Sequence, residues 1–144
     1  MAGIELELFR VPTRDLAAPI DTFFMNLKPM LSPHLVKGRL SESAQRGRAI
    51  YYNQKKVDCF KCHPAPLFTD LLFWNAGVPD SYDANTQWKT PHIQECWRTG
   101  PYGHLGSFWS MREILVLEGH SNAIKNLNPD SGEMDDLVEY VLSL

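Results

Sequence analysis

Cys59-Phe60-Lys61-Cys62-His63 is a CxxCH pentapeptide, and the rest of the chain reads outward from it. This spacing is the attachment signature of a c-type haem. Two thiols three positions apart can form thioether bonds to the two vinyl groups on one porphyrin edge. The adjacent histidine then lies below the ring plane, where its imidazole can bind the iron. One haem c, attached through Cys59 and Cys62 with His63 as proximal ligand, is therefore the expected cofactor. A zinc site would need a second Cys/Cys or Cys/His pair at ligand spacing. The only other cysteine is Cys96, which has no such companion. A thioredoxin-like redox pair would need a βαβ context, which the flanking sequence lacks.

The 144 residues fit one domain. A formal charge of −3 gives no electrostatic case for nucleic acid. No apolar run approaches the length of a membrane span. Three cysteines, two of them taken by haem, leave Cys96 single and exclude a disulfide framework. The N-terminus has no basic and apolar leader, yet thioether attachment normally takes place outside the cytoplasm. The chain is accordingly expected to be a processed product or a piece of a longer one, periplasmic or at the cell surface.

Residues 1–15 read as an N-terminal arm or strand, with Ile4, Leu6 and Leu8 alternating with Glu5 and Glu7. Residues 16–144 read as a single haem domain. Leu16, Ile20, Phe23, Phe24 and Leu27 have helical spacing, which stops before Pro29. Pro29 to Gly38 should be an extended linker. Ser41 can cap a helix from Glu42 to about Lys56, with Ala44, Gly47, Ile50 and Tyr51 inside. A glycine on that face costs helix propensity and so predicts a close helix crossing. Asp130 and Glu133 form a capping-box pattern for a last helix, whose apolar stripe is Leu137, Tyr140, Val141 and Leu144. Two such helices crossing at Gly47 would match the terminal-helix pair of class I cytochromes c. Val57 to Trp109 is rich in Pro, Gly and aromatics and poor in periodicity, which suits a chain wrapped around a porphyrin. Ser110 to Glu113 is a second capping box, with Met111, Ile114 and Leu115 facing inward and Gly119 ending the helix. The expected fold is mainly α, a class I cytochrome c-like helical domain around one haem with long irregular haem-binding loops.

An electron-transfer haem needs a sixth ligand. His120, just past a helix end, is favoured. Met111 and His104 are the rivals, His34 is a further candidate, and His92 fits a loop role better. Arg98 and Lys89 could pair with the haem propionates, arginine being suited to bidentate carboxylate contacts. Trp74, Trp88, Trp97 and Trp109 read as core and haem-wall residues.

Asp58 to Asp70 resembles the haem segment of the bacterial di-haem cytochrome c peroxidase and MauG superfamily, where CxxCH is followed by P-x-F-T-D. Lys89-Thr90-Pro91 and Arg98 to Ser107 resemble that family's K-T-P and A-P-Y-x-H-D-G segments, and Asp136 to Leu144 its terminal helix. From about Ile20 the chain is more similar still to the mono-haem cytochrome domain of bacterial β-propeller–cytochrome fusion proteins. Leu27-Lys28-Pro29, Ser32-Pro33-His34-Leu35-Val36 and Cys96-Trp97-Arg98-Thr99 carry that likeness. The resemblance implies His63 as proximal ligand, an electron-relay role, and a redox partner protein or second haem domain. The chain departs from the family at Trp74, Leu105 and Ile93-Gln94-Glu95. The distal methionine of the peroxidases would fall near Glu118, a poor iron ligand, and His120 takes its place as the expected one.

One-electron transfer by a mono-haem domain is the expected function. Two axial histidines would give a lower potential than histidine with methionine. The alternative is a peroxidase- or oxidase-like haem enzyme with an open distal site, served by His104, Glu95 or Glu118 as acid/base group.

Overall fold

A computed structural model describes residues 14–76, 82, 87–117, 120, 124 and 126–144. The expected arm around Ile4 to Leu8 lies outside the described residues, as do Glu118 and Gly119. The elements in chain order are α1 (Arg14–Asn26), α2 (Glu42–Tyr51), α3 (Cys59–Cys62), β1 (Phe73–Trp74), β2 (Trp88–Lys89), a 3₁₀ turn (Cys96–Arg98), α4 (Met111–Val116) and α5 (Gly132–Leu142). The molecule is mainly helical, as the sequence implies.

Helix α2 starts where the Ser41 hydroxyl accepts the Ala44 N–H at 3.1 Å, satisfying one of the orphan donors of the first turn. It stops at Tyr51, short of the expected Lys56. The reason is local. Asn53 takes the Lys55 N–H on its side-chain oxygen and the Lys56 and Val57 N–H groups on its carbonyl, turning the chain out of the helix.

The face of α2 that packs is Ala44, Gly47, Ile50 and Tyr51. It lies against Met134, Asp136, Leu137, Tyr140 and Val141 of α5. Gly47 stands where a β-carbon would meet the Asp136 carbonyl and Tyr140. Beside it, the Asp136 carboxylate accepts two bonds from Arg46, each 2.7 Å, and one from Ser43 at 2.6 Å. Helix α5 is capped by Ser131, whose hydroxyl accepts the Met134 N–H, and not by the expected Asp130–Glu133 box. Asp130 sits one residue too early, in a turn where its N–H bonds the Asn128 side chain. Glu133 instead pairs with Lys56.

The expected linker lies along α5. Ser32 donates to the Leu142 carbonyl at 2.6 Å, and His34 Nδ1 is 2.9 Å from Glu139. It is not wholly extended, because Val36 and Arg39 bridge across a turn in which Lys37 and Gly38 have positive φ. Phe23 and Phe24 of α1 are exposed and lie outside the core. The stretch from Val57 to Trp109 carries more regular structure than its sequence suggests. Phe73 pairs with Lys89 and Trp74 with Trp88 in an antiparallel ribbon, built of aromatic residues that favour strands. The 3₁₀ turn docks on the end of α5, where the Cys96 thiol donates to the Val141 carbonyl. Helix α4 has its capping box between Ser110 and Glu113, and buries Met111 and Leu115.

Candidate functional site

The site starts from one helical turn. In α3 the thiols of Cys59 and Cys62, three positions apart, share a face. Both are free, Cys59 buried and Cys62 half-buried. Burial pushes the Cys59 thiol up to about 12 and also raises Cys62, with Asp70 adding to the effect. Both are thus held as neutral thiols. The turn ends at His63 because Pro64 follows, and a residue before proline is kept out of the helical region. His63 accordingly has φ −117 and ψ 61.

The ring of His63 faces Nδ1 to the Phe68 carbonyl at 2.9 Å. A carbonyl only accepts, so Nδ1 carries the proton of the neutral ring, the tautomer that leaves Nε2 as the candidate metal-binding nitrogen, and the Pro91 backbone also lies within hydrogen-bonding reach of the imidazole. Burial lowers the pKa of His63 and keeps it neutral. Its own carbonyl accepts the Tyr51 hydroxyl at 2.5 Å. The segment after it is tied back to α3 and the ribbon. The Asp70 N–H bonds the Cys62 carbonyl, Asp70 accepts from the Trp74 indole at 2.8 Å, and Thr69 donates to the Thr90 carbonyl at 2.7 Å. The Lys61 ammonium lies 5.5 Å from the centre of the Trp74 ring, within cation–π range.

His120 repeats the pattern. Its Nδ1 is 2.9 Å from the Ile114 carbonyl in α4. Burial first, and the nearby charge of His63 second, lower its pKa. His120 thus lies within charge-interaction range of His63, burial lowers the pKa of both rings, and each turns Nδ1 to a backbone carbonyl. Met111 is buried in the core, and His104 stacks on Trp88 with ring centroids 3.6 Å apart. Arg98 forms a two-bond ion pair with Glu95, which also accepts the Met30 N–H. Lys89 is exposed in β2 and His92 in the loop after it. Trp109 is 80% exposed and not a core residue. It precedes the cap of α4, where its N–H is bound by Glu113 and its ring is left outside.

Two features of the site carried no signal in residue spacing: the Tyr51 hydroxyl and the backbone of Phe68. Phe68 has φ +52, a left-handed conformation that costs an ordinary residue about 1–2 kcal/mol. The indole N–H groups of Trp88 and Trp97 are buried with no hydrogen-bond partner among the described residues. Leu67, Leu71, Leu72 and Phe73, all following the CxxCH turn, are more than half exposed. Among the described residues no three His, Cys, Asp or Glu side chains converge as ligands for a bare metal ion.

These observations fit a haem. Its ring would cover the apolar side chains, its propionates are acceptors of the kind that buried indole donors require, and its iron takes imidazole nitrogen.

No protein-family profile matches the chain. It is 29% identical to the methylamine utilization protein MauG of Methylophilus methylotrophus, over 73% of this chain and 37% of that protein. It is 25% identical to the cytochrome-c peroxidase IdrP1 of Denitromonas iodatirespirans, over 75% of this chain and 42% of that protein. The chain thus spans about two fifths of the length of the curated relatives it matches. In fold it is similar to a MauG-like protein associated with microbial copper homeostasis, with a TM-score of 0.69, 19% identity, and coverage of 94% of this chain and 58% of the other. It is also similar to a chain of Kuenenia stuttgartiensis hydrazine synthase, with a TM-score of 0.67, 19% identity, and coverage of 92% and 56%. In sequence the chain is therefore similar to MauG and cytochrome-c peroxidase proteins, and in fold to a MauG-like protein.

Proposed function

We propose that this domain is a mono-haem c-type cytochrome that passes single electrons. In this reading Cys59 and Cys62 hold the haem covalently, and His63 and His120 supply the axial nitrogens. The carrying observation is the matched pair of histidines, near each other and each with Nδ1 turned to a backbone carbonyl. A histidine so held is fixed in tautomer and orientation, with Nε2 directed away from its anchor. The haem, when bound, supplies the one-electron couple of its iron. The chain's own part is to bind both faces, exclude water and set the potential through ligand type and burial.

Residues 16–144 form the haem-binding unit in this proposal, with 1–15 an arm outside it. Arg98 keeps a possible propionate contact only by leaving Glu95, and the buried indoles of Trp88 and Trp97 meet the same need without that exchange. The partner is a redox protein or a second haem domain, and the working compartment lies outside the cytoplasm. No described helix is long and apolar enough to cross a membrane.

The relatives named as peroxidases favour a second reading, a haem enzyme with an open distal face. It needs an acid/base group over that face. Glu95 is tied to Arg98 and the Met30 N–H. His104 is stacked on Trp88.

Absorbance and EPR spectra of the purified protein separate the two readings. Electron relay through two histidines expects low-spin ferric haem in the wild type and high-spin or water-ligated haem in His120→Ala, newly open to cyanide. A low-spin spectrum unchanged in His120→Ala removes His120 as ligand. High-spin wild type that turns over peroxide with an electron donor replaces relay by enzyme.

A further inference from the structure

We propose that Tyr51 and Phe68 form a closed clamp that positions His63, an inference resting on the reading of His63 as an iron ligand. Three contacts close the ring. The Tyr51 hydroxyl donates to the His63 carbonyl at 2.5 Å. The Tyr51 ring packs edge-on against the Phe68 ring, with centroids 6.3 Å apart and planes at 65°. The Phe68 carbonyl takes the His63 Nδ1–H at 2.9 Å. His63 is thus gripped at its carbonyl by the Tyr51 side chain and at its ring by the Phe68 main chain, and the Tyr51 and Phe68 rings pack on each other.

Each contact has a reason that ordinary packing does not supply. The His63 carbonyl stands at the end of a one-turn helix, with Pro64 next, so no helical N–H reaches it. A fully buried tyrosine at the last turn of α2 supplies the missing donor. Phe68 holds φ +52 although it is not glycine, asparagine or aspartate. Such a backbone persists only where its surroundings over-determine it. Here it turns the Phe68 carbonyl back onto the His63 ring while its own ring rests on Tyr51. The clamp has a rigid base, since Tyr51 also packs on Tyr140 of α5 at 5.2 Å between centroids. The α2–α5 crossing is thereby coupled to the orientation of the proximal imidazole.

A positioning residue of this kind acts through the basicity of its ligand. A firm Nδ1–H···O=C bond gives the imidazole more anionic character and favours ferric iron. Loosening it moves the potential upward.

The test uses the haem-loaded protein with Tyr51→Phe, Phe68→Gly and the double variant, read by redox titration, EPR g-values and thermal melting. Tyr51→Phe removes the hydroxyl and keeps the ring. Phe68→Gly removes the ring and keeps a carbonyl at a residue for which positive φ is natural. Each should shift the ferric–ferrous balance toward ferrous by roughly three- to tenfold at fixed ambient potential, the size of one lost net hydrogen bond. The double variant should shift it by less than the two together, because either loss opens the same ring. Ser131→Ala, at the cap of α5 and outside the clamp, should lower the melting temperature without moving the potential.

Melting temperatures that fall while potential and g-values stay fixed overturn the clamp and leave Tyr51 a core residue. So do shifts that add in full. If Tyr51→Phe does not accumulate, Phe68→Gly decides by the same criterion. Wild type without retained haem overturns the site reading and the clamp together. Retained haem with unmoved potentials overturns the clamp alone.

Discussion

A β-carbon built on Gly47 would stand 1.8 Å from the carbonyl oxygen of Asp136, so α2 and α5 touch backbone to backbone at that point. Helix propensity alone would make alanine better there by about 1 kcal/mol. The contact reverses the sign, because the obstacle is main chain and cannot swing aside. Gly47→Ala is expected to lose about 3 kcal/mol net, as in severe overpacking, and roughly 10 °C of melting temperature. Thermal denaturation of the haem-loaded protein checks it, and a melting point raised by the substitution would contradict the crossing.

Beside that crossing, the Arg46 guanidinium first, and the Ser43 hydroxyl as well, hold the Asp136 carboxyl below the usual carboxylate range. A carboxyl with a depressed folded-state pKa stabilises above its unfolded pKa of about 3.9. That stability is lost as pH falls through the interval down to the folded value. Asp136→Asn should therefore be less stable than wild type near neutrality, with a flatter acid limb, and the two curves should draw together as pH falls below the unfolded pKa of about 3.9. Urea midpoints measured across that range would show this, and parallel curves would rule it out.

The assignment of Ser131 as the cap of α5 separates two substitutions one residue apart. Ser131→Ala removes the hydroxyl that accepts the Met134 N–H and should cost about 1 kcal/mol. Asp130→Ala removes an exposed side chain that caps nothing and should stay within about 0.5 kcal/mol. Chemical denaturation of both variants decides between them, and the reverse order would restore the Asp130–Glu133 box.

Denaturing mass spectrometry of the intact protein should retain one haem-sized adduct, lost in Cys59→Ala/Cys62→Ala. Haem that extracts freely into acid solvent from the wild type would refute covalent attachment. Because so many apolar side chains after the CxxCH turn are exposed in the polypeptide alone, the haem-free chain should lose most of its cooperativity. Melting curves followed by circular dichroism would test that.

Much of the frame was legible because its signals are local. Ser41 and Ser110 sit at fixed offsets from the residues they cap, and the buried face of α2 is a 3.6-residue stripe. Gly47 was legible for a different reason, as a residue whose cost inside a helix demands an explanation. The cap of α5 is ambiguous in sequence because Asp130 and Ser131 are both good capping residues. The Asn128-Pro129 turn, which propensity does not see, decided between them. The CxxCH turn and the short list of remaining histidines were legible as chemistry. The Tyr51 hydroxyl, the left-handed Phe68 and the commitment of Arg98 to Glu95 were not. Each depends on how a loop without periodicity reverses direction. The aromatic ribbon of Trp74 and Trp88 has no sequence signature, because two-residue strands carry no alternation.

The helices that cross at Gly47 and Asp136 are separated in the chain by about eighty residues. Their meeting is a non-local event, and folding must meet its loop-closure entropy before the contact contributes anything. This entropy grows only logarithmically, by about 0.6 kcal/mol for each doubling of the loop. The connecting stretch can therefore be lengthened or rewritten at slight thermodynamic cost, while the crossing tolerates not even one added methyl group. Variation among proteins built on this plan should accordingly gather in the segment that wraps the cofactor, with folding speed, more than stability, recording how long that segment has become.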